Sequence, residues 1–170
     1  MFQELLEKIQ GLDETFDQAP AESGKVIKTT DEERTTFAIG NNSVIVTEST
    51  AELEFLEDIG EDALDKMGID KSDFITKIEH IEVAKSKQGK GIGTRLMNEA
   101  VVEAKERGTE FTYLNASPIG TDGLPLNKLT SFYEKFGFKT FKGQGNNNLM
   151  IVKTNELKQA QPTKRSRQYK

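Results

Sequence analysis

The 170-residue chain has no cysteine and only one histidine, His80. The missing cysteine excludes disulfides, thiolate nucleophiles and cysteine-bound metals. A lone histidine argues against zinc, whose sites usually need several His or Cys ligands, so no metal is expected. No apolar run approaches the roughly 20 residues that cross a bilayer as a helix. The opening MFQELLEKIQ lacks the charged start and apolar centre of a signal peptide. The expectation is a cytoplasmic protein with no membrane partner.

What is present fits one globular domain. Charged residues make up 30% and hydrophobic residues 35%, as in ordinary soluble proteins. The length allows a real core. The net charge of −5 is unevenly spread. Residues 1–70 hold 18 acids and 5 bases, whereas residues 71–170 hold 10 acids and 18 bases. Such a split can give one surface for anions and another for cations, or it can be solvated charge that falls unevenly.

Apolar spacing predicts the elements. Phe2, Leu5, Leu6, Ile9, Leu12 and Phe16 predict an amphipathic helix over 2–17. RTTFAIGNNSVIVTES reads as two strands around a Gly-Asn-Asn turn. STAE at Ser49–Glu52 has capping-box spacing, with a helix behind it carrying Leu53, Leu56, Leu64 and Met67, interrupted at Gly60. KIEHIEV, residues 77–83, alternates as a strand does. Ile92, Leu96, Met97, Ala100, Val101 and Ala104 form a helical stripe, with Arg95, Asn98, Glu99, Glu103 and Glu106 opposite it and Gly108 at its end. FTYLNA (111–116) is a strand. Leu129, Phe132, Tyr133 and Phe136 mark a helix opened by Pro125 and stopped at Gly137. FKTF and LMIVK are strands around a turn-rich KGQGNNN. The order strand, helix, strand favours parallel pairing of the first two strands, and the closing pair an antiparallel hairpin. The fold class is therefore α/β (α+β), a mixed sheet flanked by helices. From Asn155 the chain turns polar, and PTKRSRQYK holds four bases and no acid, so 155–170 is expected to be a flexible basic tail.

KSKQGKGIGTRL, residues 85–96, joins KIEHIEV to the following helix through Gly89, Gly91 and Gly93. A strand, a glycine-rich turn and a helix start make an anion site, because the first helical N–H groups have no internal partner. Lys85, Lys87 and Lys90 add charge nearby. Phosphate is the expected ligand, and a tight turn without a ligand is the alternative. The stretch fits neither the nucleoside-triphosphate loop nor the dinucleotide fingerprint.

QGKGIG, Gln88–Gly93, matches [RQ]-x-x-G-x-[GA], and FYEKFGF, Phe132–Phe138, lies near the end of the next helix. Together these motifs resemble the GNAT superfamily of acyl-CoA N-acyltransferases over about residues 77–153. The resemblance implies a mostly antiparallel sheet with a splayed parallel strand pair. It implies acetyl-CoA or another acyl-CoA as co-substrate, with its diphosphate on the N–H groups of Gly89, Lys90, Gly91, Ile92, Gly93 and Thr94, and Gln88 at the loop's start. Ile81 and Val83 would offer backbone contacts to the pantetheine arm, and Asn115 would reach the same cleft. The family often places an asparagine seven residues before the tyrosine of the second motif. Leu126 stands there in this chain, and Asn127 follows it.

The resemblance also implies direct attack of an amine on the thioester. Tyr133 would donate a proton to the leaving thiolate, as a phenol can, although its apolar stripe equally suits a core aromatic. Glu79 and Glu82 are candidates to accept the amine's proton, with His80 a third; each has a solvated or structural role as its alternative. In a regular strand, three residues apart means opposite faces, and Glu79 would share a face with Ile81 and Val83. The implied organisation is one domain over 1–154, with residues 1–75 on the acceptor side and 76–154 binding acyl-CoA. The implied activity is N-acetyl transfer to a primary amine of a small molecule, peptide or protein. The alternative is a non-catalytic module acting through a partner; nucleic acid is not the expected one, and no oligomerisation pattern is readable.

Overall fold

Alternating burial marks the strands. In Arg34–Ile39, residues Thr35, Phe37 and Ile39 are buried while their neighbours are not, and Val44 and Val46 repeat the pattern in the next strand. The computed structural model describes residues 24–51, 60–83, 88–118, 124–144 and 147–161. Its strands are β1 (Ile27–Asp31), β2 (Arg34–Ile39), β3 (Asn42–Thr50), β4 (Phe74–Glu82), β5 (Phe111–Ala116), β6 (Lys139–Gln144) and β7 (Asn147–Lys153). Its helices are α1 (Glu61–Met67), α2 (Ile92–Arg107) and α3 (Leu126–Glu134), and a 3₁₀ turn follows at Thr154–Glu156.

The strands form one sheet in the order β1-β2-β3-β4-β5-β7-β6. Every neighbouring pair is antiparallel except β4 and β5. The mixed, mostly antiparallel class is thus the one observed. A large apolar cluster joins one sheet face to α2 and α3, through Phe37, Val44, Val46, Ile78, Leu96, Met97, Tyr133 and Phe136. A smaller cluster on the opposite face joins Ile75, Phe111, Tyr113, Leu149 and Ile151 to Leu64 of α1.

Several expectations change. The 25–33 stretch contributes β1, an edge strand whose burial pattern shows no clean alternation. Ser49 and Thr50 pair with Ile75 and Phe74, so the proposed cap is strand, and Gly60 is the N-cap of α1. KGQGNNN is mostly strand, because β6 runs to Gln144 and β7 begins at Asn147. The polar chain after Asn155 continues along the domain to Gln161, with Leu157 only 2% exposed. The helix read over 2–17, residues 52–59, Lys85, Lys87 and the last nine residues lie outside the described residues.

Glu103 is buried, not on the solvated face of α2. Its Oε2 lies 3.0 Å from Lys28 Nζ, and its Oε1 accepts from Thr35 Oγ1 at 3.0 Å and Arg107 Nε at 3.2 Å. Arg107 also donates to Thr35 at 3.1 Å. This network ties α2 to β1 and β2. Burial works to raise the Glu103 pKa, but hydrogen bonds from Lys28 and Thr35 and the charges of Lys28 and Arg107 hold it below the usual carboxylate value.

Removing Glu103 takes a shared acceptor from Lys28, Thr35 and Arg107, although Arg107 keeps Thr35 and, at 4.0 Å, Glu48. Glu103→Ala should cost about 1–3 kcal/mol in urea unfolding, the usual cost of removing one partner from a part-buried hydrogen-bond network. A depressed carboxylate pKa favours folding above the unfolded value and loses that advantage as pH falls through the folded one. Wild-type stability should therefore drop in acid more steeply than that of the variant. Identical acid limbs would discard the network as a stabilising element.

Candidate functional site

β4 and β5 pair at only two positions, Thr76 with Thr112 and Lys77 with Tyr113. β4 then continues beside β3 as far as Glu82, opposite Ser43. β5 continues beside β7 as far as Ala116, opposite Asn148. The two strands separate while each keeps its outer partner, as the expected splay requires.

A β-bulge stands where they part. Val46 pairs with Ile78 and Val44 with Ile81, so β3 advances two residues while β4 advances three. The extra residue bends β4 and strengthens its twist. The foot of the splay is held by buried hydroxyls. The Thr76 and Thr109 hydroxyl oxygens lie 2.7 Å apart, Thr109 donates to the Phe111 carbonyl at 3.1 Å, and the Thr112 and Thr154 hydroxyl oxygens lie 2.9 Å apart.

The bulge corrects the reading of faces. Ile78 and Ile81, three apart, both pack toward the α2 side, and Val83 packs there too. Glu79 is on the opposite face. Its Oε2 lies 3.9 Å from Nη2 of Arg34, which alternates with the buried, α2-facing Thr35. Glu79 therefore does not share a face with Ile81 and Val83. The three-residue spacing to Glu82 spans the bulge and no longer implies opposite faces. For His80 and Glu82 the description stops at the backbone. Asn115 lies beyond the splay and is exposed, between buried Leu114 and Ala116.

The loop returns onto the strand end. Gln88 Nε2 donates to the Val83 carbonyl at 3.2 Å. Gly89 has φ 78° and Gly91, the N-cap of α2, has φ 84°. These left-handed values favour glycine because a Cβ would crowd the backbone. Gly93 differs: its φ is not left-handed, and a Cβ there would meet Phe132 Cζ at 3.4 Å and Val83 Cγ2 at 3.7 Å, ordinary contact distances.

The start of α2 suits an anion. Its first intrahelical bond runs from Arg95 N to Gly91 O, 3.0 Å, so the N–H groups of Ile92, Gly93 and Thr94 precede the ladder. Among the described residues no side chain caps the helix, and its first turn carries no acid. Lys90 is exposed beside it. Aligned N–H groups and the helix dipole favour phosphate at such a place.

Tyr133 is 8% exposed, on the buried face of α3. Its ring meets Phe132 edge-on at 5.3 Å and Phe138 at 6.4 Å. Burial pushes its phenol up to about 12. Tyr133 and Glu79 thus stand on opposite faces of the sheet. Asn127 is exposed in the first turn of α3, where its carbonyl accepts from Ser131. Sequence reasoning missed the bulge, because an extra residue leaves the KIEHIEV alternation intact.

A family model described as an acetyltransferase (GNAT) domain matches residues 40–140, more than half the chain. No curated protein matches significantly. Among solved structures, Arabidopsis thaliana NAA60 in complex with acetyl-CoA is 15% identical, with TM-score 0.49, covering 86% of this chain and 93% of that one. Arylalkylamine N-acetyltransferase 2 from Aedes aegypti is 13% identical, with TM-score 0.47 and 74% of each chain covered. The PaiA N-acetyltransferase from Thermoplasma acidophilum in complex with coenzyme A is 16% identical, with TM-score 0.43, covering 71% of this chain and 59% of that one.

The loop glycines should separate by mechanism. Gly91→Ala should lose about 1–2 kcal/mol from left-handed strain. Gly93→Ala should be neutral or stabilise by up to about 1 kcal/mol, since alanine is the better helix former and its methyl would make ordinary contacts. Paired chemical denaturation checks this. Equal losses would remove the distinction between left-handed and helical glycines in the loop.

Proposed function

The chain belongs to the GNAT acetyltransferase family, and from that premise we propose that it transfers an acetyl group from acetyl-CoA to a primary amine by direct attack. The observation supporting this reading is the bare start of α2 standing beside the open end of the β4–β5 splay. A diphosphate suits the first feature, and an extended amide-bearing arm suits the second by adding to a free strand edge. When bound, the thioester supplies an activated acyl group, so neither a metal nor a covalent enzyme nucleophile is required.

The chain's residues then divide the work. Main-chain N–H groups from Gly89 to Thr94 hold the phosphates, with Lys90 adding charge. Gln88 fixes the loop to Val83 O, so the loop and the strand edge keep one relative position. Ile81 and Val83 offer main-chain groups to the arm, and a backbone N–H near Val83 stabilises the developing oxyanion. Asn115 and Asn127 bond to the arm from β5 and α3. Tyr133 keeps its proton at neutral pH because its pKa is raised, and it can deliver that proton to the departing sulfur. Glu79 acts from the other face, where the amine enters, and takes the amine's proton directly or through water. Glu82 is the second candidate for that role. Residues 1–75 form the acceptor side, and the protein works in the cytoplasm.

The test is thiol release from acetyl-CoA across a panel of alkyl amines, peptides and aminoglycosides. Turnover with at least one acceptor is expected. Tyr133→Phe should lower kcat roughly 10- to 100-fold, within the usual range for a general acid, with little change in the KM for acetyl-CoA. The alkaline limb of the wild-type kcat profile should lie above pH 10, because the phenol loses its proton only near its raised pKa. Coenzyme A binding without turnover on the whole panel would instead identify a non-catalytic module. A wild-type alkaline limb retained unchanged in Tyr133→Phe would exclude the phenol as donor.

A further inference from the structure

Asn148 is a polar residue in an apolar row. On β7 it shares a face with Met150 and Val152, which are buried in the main cluster beneath α2 and α3. It stands at the open end of the splay, opposite Ala116, the last residue of β5. Its side-chain amide reaches α3, where Nδ2 donates to Thr130 Oγ1 at 3.1 Å. The Thr130 hydroxyl donates in turn to the Leu126 carbonyl at 2.9 Å, one helical turn back. That bond uses the only hydroxyl hydrogen, so the oxygen can only accept from β7. An amide satisfies it and a carboxylate does not. The other end of the amide is closely fitted too. A Cβ on Gly143, its cross-strand neighbour on β6, would lie 3.3 Å from Asn148 Oδ1. The first glycine and the last asparagine of KGQGNNN thus meet across the hairpin, and the bare glycine leaves the amide its room.

Thr130 is a telling place to hold this helix. It is three residues from both Asn127 and Tyr133, so it lies between them on the helix surface. Phe132, two residues on, points to nearly the opposite side, at about 100° per residue. The Phe132 ring and the Val83 side chain both approach Gly93, where the end of β4 meets the start of α2. The helix α3 is therefore gripped from two sides, by β7 at Thr130 and by the β4–α2 junction at Phe132. It spans the mouth of the splay, from the β5–β7 side to the β4 side.

We infer that Asn148 is a positioning residue: through Thr130 it sets the rotation of α3, and so aims Tyr133 and Asn127 at the acyl-CoA arm. This rests on the acetyl-transfer reading above. The contact at Phe132 alone would leave the helix free to roll about it. A second grip on the opposite side removes that freedom. A proton donor needs such aim, because a misplacement of about 1 Å can cost roughly 100-fold in rate.

The test combines amide hydrogen exchange with kinetics on the full chain. Asn148→Ala and Asn148→Asp should each speed exchange in α3 about three- to tenfold, with protection in α2 unchanged. Each should lower kcat about tenfold and raise the KM for acetyl-CoA, since Asn127 moves with the helix. Thr130→Val should reproduce both effects, and Thr130→Ser, which keeps the hydroxyl, should hold wild-type values. In a Tyr133→Phe background, Asn148→Ala should cost little further kcat, because the group it aims is already gone. Full additivity there overturns the inference. So does wild-type exchange in α3 for either Asn148 variant, or a Thr130→Ser as impaired as Thr130→Val. A wild type without turnover on any acceptor fails the acetyl-transfer reading itself, and is recognised because the loss is then in the parent protein. Exchange in α3 then still decides whether Asn148 holds the helix.

Discussion

The site depends on two strands being held together at one end and forced apart at the other. The bulge in β4 bends it where pairing with β5 stops. The threonine hydroxyls on either side of the last shared rungs keep the foot closed. Without the bulge, the parallel ladder could continue and cover the edge. Without the foot, β4 and β5 could drift, and the gap would lose its width. An opened ladder has a cost, because each backbone N–H and C=O along it needs a partner from solvent or a ligand. A free edge inside a sheet, rather than at its rim, is therefore a sign of binding rather than of folding economy.

The gap alone would not select a ligand. Selection needs a fixed relation between the strand edge and the start of α2, and three ties hold that helix. Glu103 and Arg107 lock its last turns to β1 and β2. Arg95 reaches the Gly24 carbonyl ahead of β1. Asn98 grips the returning chain at Ala160. The ties act on different sides of the helix, so they resist rotation as well as translation. A helix dipole is useful only if it stays aimed, because its effect falls off within the first turn.

Much of this was legible in the residues, for a physical reason. Period 3.6 in α2 and α3 and period 2 in β2 and β3 come from single-face burial, and single-face burial is what these elements do. The loop motif was legible because left-handed backbone at Gly89 and Gly91 leaves little choice of residue. Gly93 has no such backbone requirement, since its φ is not left-handed and a Cβ there would make only ordinary contacts. The faces of β4 are hidden in the sequence because a bulge changes pairing without changing composition. Glu103 looked solvated because its partners Lys28 and Thr35 are distant in sequence. β1 was overlooked because an edge strand need not alternate. The chain from Asn155 to Gln161 reads as tail because few of its residues are apolar, and what holds it is largely backbone caught by Asn98.

The same distinction explains why donor and acceptor sides differ in legibility. On the proposed reading, the donor is held mostly by main-chain groups. Its requirements appear as backbone geometry, and glycine records backbone geometry in any sequence. The proposed acceptor side is across the sheet, where Glu79 and Arg34 stand on the face opposite Tyr133. There, recognition depends on which side chains happen to face the gap, and a strand tolerates almost any polar residue on an exposed face. A motif can therefore identify the chemistry while leaving the amine unspecified. The pairing of Glu79 with Arg34 sharpens this point, because a carboxylate already beside a cation is a poorer lure for a second one. The excess of acids in residues 1–70 is then a weaker guide to the acceptor than the few charges beside the opening.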